Sequence, residues 1–139
     1  MTGVLFLLPC LLSADEPADL AQQHFHTGLA YERLARLDEA YTELQLAANL
    51  DTENPEMALA LGLIASRLGR LDQAQRALEH SIALDANSVA SYYQLALIYE
   101  KKELNDRALE SWHRFLALNQ DSELKAEGEK HIRYLEGLH

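Results

Sequence analysis

Few residues in this sequence bend or cross-link the chain. Its 139 residues include one cysteine, three prolines and six glycines. The single cysteine, Cys10, cannot form an intramolecular disulfide bond or a cysteine-rich zinc site. Because tight turns need glycine and proline, a β-sandwich is disfavoured and long helices are favoured. Apolar residues (48%) and charged residues (24%) occur in globular proportion, and the length suits one domain.

Positive charge is also scarce. Lysine and arginine number 12 against 22 aspartates and glutamates, so the formal net charge is -10. Nucleic-acid binders neutralise phosphates with basic side chains, and adhesion to an anionic membrane surface needs the same charge. The composition therefore argues against both classes and leaves proteins or peptides as the expected partners.

Motifs of catalysis and cofactor binding are missing as well. The sequence has no G-x-S-x-G turn, no glycine-rich phosphate loop, no H-E-x-x-H and no C-x-x-C. His24 and His26 are two residues apart, which on a helix turns them to different sides. Two E-x-x-H steps are interpreted as exposed polar residues: Glu110 with His113, and Glu136 with His139. We predict no enzyme activity, cofactor, metal or small-molecule substrate.

The first fourteen residues, MTGVLFLLPCLLSA, carry no charge. Their apolar run, Val4 to Leu12, is shorter than the about 20 residues of a membrane span and typical of a secretory signal peptide. Cleavage after Ala14 would release a chain that starts at Asp15. We therefore predict a signal peptide at 1–14, a periplasmic or secreted location and no membrane span in the mature chain. Because no lysine or arginine precedes the run, an apolar arm packed on the fold, a membrane anchor and a cytoplasmic location stay open.

A period of 34 residues runs through most of the remaining chain. Four sets of positions keep one residue at this spacing: Ala40, Ala74 and Ala108; Asp38, Asp72 and Asp106; Leu50, Leu84 and Leu118; Leu29, Leu63 and Leu97. Two more sets keep residue size: Gly28, Gly62 and Ala96 are small, and Leu44, Leu78 and Trp112 are large. Agreement among independent columns indicates internal repetition.

Each unit has the apolar spacing of two helices. In the third unit, apolar residues recur at i, i+3, i+4 and i+7 from Tyr92 to Tyr99. A break follows, and we expect Asp106 to cap the second helix; Gly69 marks the same break one unit earlier. Asn54 before Pro55 predicts a helix start with Asn as the cap. Paired helices are expected to cross most closely at the repeated alanines, Ala40, Ala74 and Ala108.

The pattern resembles the tetratricopeptide repeat (TPR) family. The third unit carries its aromatic, Leu-Gly-like, Tyr, Ala and aromatic positions as Tyr92, Leu95-Ala96, Tyr99, Ala108 and Trp112. The second unit has Ala58 and Ala65 where aromatics are usual. The resemblance implies an all-α, right-handed solenoid of three helix-turn-helix repeats at 21–54, 55–88 and 89–122, after a lead-in at 15–20.

The residues after the third unit break the repeat. A solenoid's last repeat has an apolar face without a neighbour, so a terminal helix with a polar outer side is expected. We predict that 123–139 is this capping helix. Four apolar residues are predicted to line its inner side: Leu124, Ile132, Leu135 and Leu138.

The first helices of the repeats carry the predicted site. In the TPR family these helices line a concave face that holds partner peptides or helices, and the resemblance implies the same use here. Two apolar ladders recur in register, Phe25, Leu59 and Tyr93, then Leu29, Leu63 and Leu97, beside a basic column of Arg33, Arg67 and Lys101. We predict that these nine residues form a partner-binding groove. Alternatively, the ladders thicken the core and the column balances Glu32, Glu100 and Glu103.

The sequence thus predicts a non-catalytic protein–protein interaction module, an exported adaptor or assembly factor that binds a protein or peptide in an apolar groove. The alternative is a self-associating structural module. In that case the groove is filled by the chain's own N-terminal arm or by a second copy in a homo-oligomer.

Overall fold

The computed structural model describes residues 16–138, so the predicted signal peptide lies outside the described residues, as does residue 139. Seven α-helices and no strand make up the described part. The helices are α1 (Pro17–Arg33), α2 (Leu37–Leu50), α3 (Pro55–Arg67), α4 (Leu71–Leu84), α5 (Val89–Lys101), α6 (Asn105–Leu118) and α7 (Ser122–Glu136). They pack as three pairs, α1–α2, α3–α4 and α5–α6, with α7 against α6. The predicted architecture of three helix pairs and a terminal helix is confirmed.

The first helices of the second and third pairs begin at side-chain caps. The Asn54 side chain accepts hydrogen bonds from the backbone N–H groups of Glu56 and Met57, and Pro55 is the first helical residue, as predicted. The Ser88 hydroxyl accepts one from the backbone of Ser91 at the start of α5. These caps satisfy N–H groups that have no partner within the helix.

The second helices begin differently, and the expected cap at Asp106 is wrong. The residue before α6 is Leu104, whose side chain makes no capping bond, and Asp106 lies within the first turn. There its carboxylate interacts favourably with the positive end of the helix dipole but does not cap the helix. The equivalent Asp72 in α4 accepts a hydrogen bond from Lys102 Nζ at 2.7 Å, which lowers the pKa of Asp72.

The turn inside each pair contains one residue in the left-handed conformation, at the same place in the repeat. Gly69 has a φ of 74°, and Ala35 and Glu103, each 34 residues from it, have a φ of 58°. Glycine takes this conformation freely, whereas other residues lose about 1–2 kcal/mol. At the third turn the N–H of Leu104 donates to the carbonyl of Tyr99 at 2.8 Å, a bond typical of a helix C-terminus.

Paired helices interlock where a small residue of the first meets a large one of the second. A Cβ atom on Gly62 would lie 2.6 Å from Leu78 Cγ and 3.4 Å from the Ala74 carbonyl oxygen. On Gly28 it would lie 2.7 Å from Leu44 Cγ. The three repeated alanines, Ala40, Ala74 and Ala108, are fully buried. The first helix approaches closely beside Ala40 and Ala74, as predicted.

The inner side of α7 is shorter than predicted. Ile132 and Leu135 are buried and Gly128 packs on α6, but Leu124 is 38% exposed and Leu138 is 52% exposed. Leu124 and Leu138 are therefore less buried than Ile132 and Leu135. The glycine, rather than another leucine, allows α7 to approach Phe115. No helix within residues 16–138 is long and apolar enough to cross a membrane.

The interlock generates a first prediction. Alanine favours helix over glycine by about 1 kcal/mol, yet Gly62→Ala should destabilise the protein by about 1–3 kcal/mol, because its methyl group would overlap fully buried Leu78. Gly137→Ala is the matched control, since a Cβ there meets nothing closer than 3.4 Å and the backbone is already helical. Urea unfolding followed by circular dichroism measures both variants. Equal stability of the two would contradict the interlock.

Candidate functional site

The predicted groove residues lie in register on the first helix of each pair. We call these nine residues the groove face: Phe25, Leu29, Arg33, Leu59, Leu63, Arg67, Tyr93, Leu97 and Lys101. All six apolar side chains are half-buried, and the three basic ones are exposed. The face therefore combines apolar surface that is only partly covered with charge along one edge.

The two apolar ladders differ in how they are packed. Phe25, Leu59 and Tyr93 pack against the buried core, and so does Leu97. Between residues 16 and 138, Leu29 and Leu63 are not among the side chains packed on either buried cluster. Most of the ladder residues thus contribute to the core, and the uncommitted apolar surface of the face centres on two leucines.

The basic column is partly neutralised within the protein. Arg67 Nη1 lies 2.9 Å from Glu32 Oε1, an ion pair between α3 and α1. Arg33 donates from Nε to the carbonyl oxygen of Leu29 in its own helix. Lys101 lines a cavity with Glu100 but forms no ion pair in the described part of the chain. Arg33 and Lys101 are therefore the two members of the column whose positive charge could meet a partner.

The groove face ends against α7. Adding the 34-residue period to Tyr93 and Leu97 gives Glu127 and His131, so α7 continues the same register with polar residues. Tyr93 donates from its hydroxyl to Glu127 Oε1 at 2.9 Å, and burial followed by this bond raises the pKa of Tyr93. The tyrosine ring meets Trp112 edge-on, with 5.5 Å between ring centroids.

A polar cluster missed by the sequence reasoning joins α5, α6 and α7. Trp112 Nε1 donates to Glu100 Oε1 at 2.5 Å, and His131 Nδ1 lies 2.9 Å from the same oxygen. The His131 ring stacks on Trp112 with centroids 4.5 Å apart. The sequence did contain a signal for this cluster, because adding the 34-residue period to Leu97 gives His131. The cluster fixes α7 at the end of the groove face.

An apolar cavity of about 420 Å³ opens beside Tyr93, where α5 and the first turn of α7 separate. Its lining comes from three helices: Val89, Ala90, Tyr93 and Gln94 of α5, Phe115 of α6 and Leu124 of α7. The exposure of Leu124 is thus explained by an open cavity beneath it. This cavity is continuous with the groove face through their shared residue, Tyr93.

Two other cavities lie between successive second helices, at equivalent places in the repeat. The one between α2 and α4 holds about 290 Å³ and is bordered by Ala58, and the one between α4 and α6 holds about 310 Å³ and is bordered by Tyr92. Tyr99 at the second cavity donates to Glu79 at 2.6 Å; burial first, and then this bond, raise the pKa of Tyr99. Because most of their lining residues are related by the 34-residue period, these two cavities are a consequence of the repeat.

The histidines do not form a metal site in the described region. His24 Nδ1 lies 2.6 Å from Glu43 Oε2, whereas His26 is exposed. Glu110 and His113 are exposed, as predicted, and His139 lies outside the described residues. No group of three His, Cys, Asp or Glu side chains that could hold a metal occurs between residues 16 and 138.

Comparison with known proteins identifies the repeat. The family profile described as tetratricopeptide repeat matches residues 55–88 and 89–121, which are the pairs α3–α4 and α5–α6. The chain contains tetratricopeptide repeats. The pair α1–α2 interlocks in the same way through Gly28 and Leu44, so the described part has three TPR-like pairs. No curated protein sequence is significantly similar to the chain.

Solved structures share this TPR fold. The first TPR of Spaghetti (RPAP3), bound to an HSP90 peptide, has a TM-score of 0.77 at 17% identity, covering 87% of this chain and 94% of that one. SycD of Yersinia enterocolitica, with a peptide of the translocator YopD, has a TM-score of 0.77 at 16% identity and covers 85% and 93%. PcrH of Pseudomonas aeruginosa, with the chaperone-binding region of PopD, has 0.76 at 20% and covers 86% and 92%.

Proposed function

We propose that the protein is a non-catalytic interaction module whose groove face holds a peptide or helix of a protein partner. We further propose that it acts as an adaptor or assembly factor after export to a compartment such as a bacterial periplasm. The first proposal rests on the groove face and the second on the N-terminal segment, so they are tested separately.

The observation that carries the binding proposal is the half-burial of Leu29 and Leu63. Both lie in register on the first helices of their pairs, and neither packs on the buried clusters of residues 16–138. Apolar side chains aligned across neighbouring helices offer contiguous surface for a partner. The peptides held by RPAP3, SycD and PcrH support this use of a similar fold.

The apolar part of such binding is modest. Full burial of a leucine side chain yields about 1.5–3 kcal/mol, and these two are partly buried before a partner arrives. Association entropy offsets much of what remains. Affinity therefore depends on polar contacts as well, and exposed Arg33 and Lys101 are placed to meet acidic groups of the partner and to speed encounter at low salt.

Self-association is the second candidate, favoured by the outer side of α7. Tyr134 on this terminal helix is 63% exposed and Leu138, just after the helix, is 52% exposed, which leaves apolar surface beyond the last pair. In this alternative the groove face is covered by a second copy or by the chain's own residues 1–14. Sedimentation of the purified protein distinguishes a dimer from a monomer that keeps its groove face free.

The binding proposal predicts the effect of Leu29→Ser combined with Leu63→Ser. Because neither leucine packs on the core clusters, the melting temperature should stay within a few degrees of wild type, while recovery of the partner should fall at least tenfold. Leu46→Ser with Leu50→Ser is the matched control, since these α2 leucines are 42% and 40% exposed away from the groove face. Affinity purification from the native host with quantitative mass spectrometry measures recovery. Equal recovery with both double variants would place binding elsewhere.

The export proposal predicts the mass of the mature protein. In the native host the chain should lack residues 1–14 and begin at Asp15, because Ser13-Ala14 end an apolar run of signal-peptide length. Intact-mass spectrometry of the purified native protein measures this directly. A soluble native protein that retains the leader, and that loses stability when residues 1–14 are deleted, would instead support an arm packed on the fold.

A further inference from the structure

The cavity between α5 and α7 is an apolar feature that shares Tyr93 with the groove face. Four α5 residues, Val89 to Gln94 in sequence, form one wall, and Phe115 with half-exposed Leu124 closes the other. A volume of about 420 Å³ is ample for a leucine, methionine or phenylalanine side chain, and the lining is apolar apart from Gln94 and the tyrosine hydroxyl. One wall belongs to the last repeat and the other to the terminal helix.

Two carboxylates of α7 neighbour residues that line this cavity, Glu123 beside Leu124 in sequence and Glu127 at the Tyr93 hydroxyl. Glu127 holds the Tyr93 hydroxyl, and Glu123 lies exposed one turn earlier on α7. Within residues 16–138 neither carboxylate forms an ion pair. The α5 wall from Val89 to Gln94 carries no charge. Lys125 is turned about 100° from Leu124, to the side opposite Glu123, and Lys130, one turn beyond Glu127, forms no ion pair with it in the described part of the chain.

We infer that the cavity receives one apolar side chain of the partner, with a lysine or arginine of the same segment beside it on Glu123 and Glu127. This inference rests on the proposed function and deepens it. Exposed Arg33 and Lys101 lie at the C-terminal ends of α1 and α5, whereas the cavity lies at the N-terminal end of α5. The partner segment is therefore polarised, basic at the cavity and acidic toward the other edge of the groove face.

Charge selects this occupant over the two alternatives. Residues 1–15 contain no lysine or arginine and end in Asp15, so they offer nothing to the acidic edge. A second copy brings a formal charge of -10 to a chain of the same charge, which opposes their approach. A partner segment with a basic residue next to an apolar anchor gains from both the cavity and its edge.

The probe is a displayed library of random dodecapeptides, selected against the full chain at low salt. Enriched peptides should share one large apolar residue with a neighbouring lysine or arginine. A synthetic copy of the most enriched peptide should bind at least tenfold more weakly to Ala90→Trp, which fills the cavity from an exposed helical position, and to Glu123→Lys. Leu124→Ser is a second cavity variant, and Leu46→Ser is the control. Melting by circular dichroism confirms that each variant is folded.

The outcomes separate the cavity from the groove face. A peptide weakened by Leu29→Ser with Leu63→Ser, but bound normally by Ala90→Trp and Leu124→Ser, overturns the cavity inference and keeps the proposed function. Loss with the cavity variants alone keeps the inference and moves the site away from the leucines. Absence of basic residues from the enriched set overturns the inference. A lower melting temperature of Ala90→Trp would indicate that the substitution displaces the chain's own N-terminal arm from the cavity. A shift of Ala90→Trp from dimer to monomer in sedimentation would indicate that it displaces a second copy. Either result also overturns the inference.

Discussion

The close contact between a small residue on one helix and a large one on the next determines how this chain folds. Gly28 faces Leu44, Gly62 faces Leu78, and in the third pair Ala96 and Trp112 hold the same places and are fully buried. Each contact uses one side of a first helix, and the groove-face residues lie on the adjacent side of the same helix. Because the same contact recurs every 34 residues, these adjacent sides come into register and form the groove face. The position of the groove face is thus a consequence of how the pairs are closed.

Exposed ionic contacts link one pair to the next. Arg70 pairs with Asp38 at 2.9 Å and lies over the Tyr41 ring, and Lys102 pairs with Asp72. Such solvent-exposed pairs contribute little to stability but favour one register of neighbouring repeats. The end of the array is held by partly buried polar groups instead. There Trp112 Nε1 donates a hydrogen bond to Glu100, and His131 Nδ1 lies within hydrogen-bond distance of the same carboxylate. These contacts position α7 so that it both ends the core and forms a wall of the cavity.

The sequence was sufficient for the fold because periodicity and residue size repeat together. A 34-residue period in alanine, leucine and small-residue columns predicts pairs of helices whatever the local preferences are. Local details of the turns inside the pairs were not predicted. Ala35 and Glu103 take a left-handed conformation that their residue types disfavour, and Asp106 resembles a cap although α6 starts before it.

The sequence predicted which residues share one face of the first helices, but it did not predict how each of their side chains is packed. Register alone placed the nine residues on one face, yet it could not separate Leu97, which packs on the core, from Leu63, which does not. That difference depends on which neighbouring helix covers each residue. The cavity was missed for the same reason, because its lining combines residues of α5, α6 and α7.

The central claim, that the groove face contacts a protein partner, is tested most directly by site-specific photocrosslinking in the native host. A photoreactive amino acid at position 63 samples the groove face, and the same residue at position 46, where Leu46 is 42% exposed, samples the second helix α2. We expect a discrete crosslink to another protein from position 63 and none from position 46. Equal crosslinking from both positions, or crosslinks from position 63 only to the same chain or to a second copy, would contradict the account.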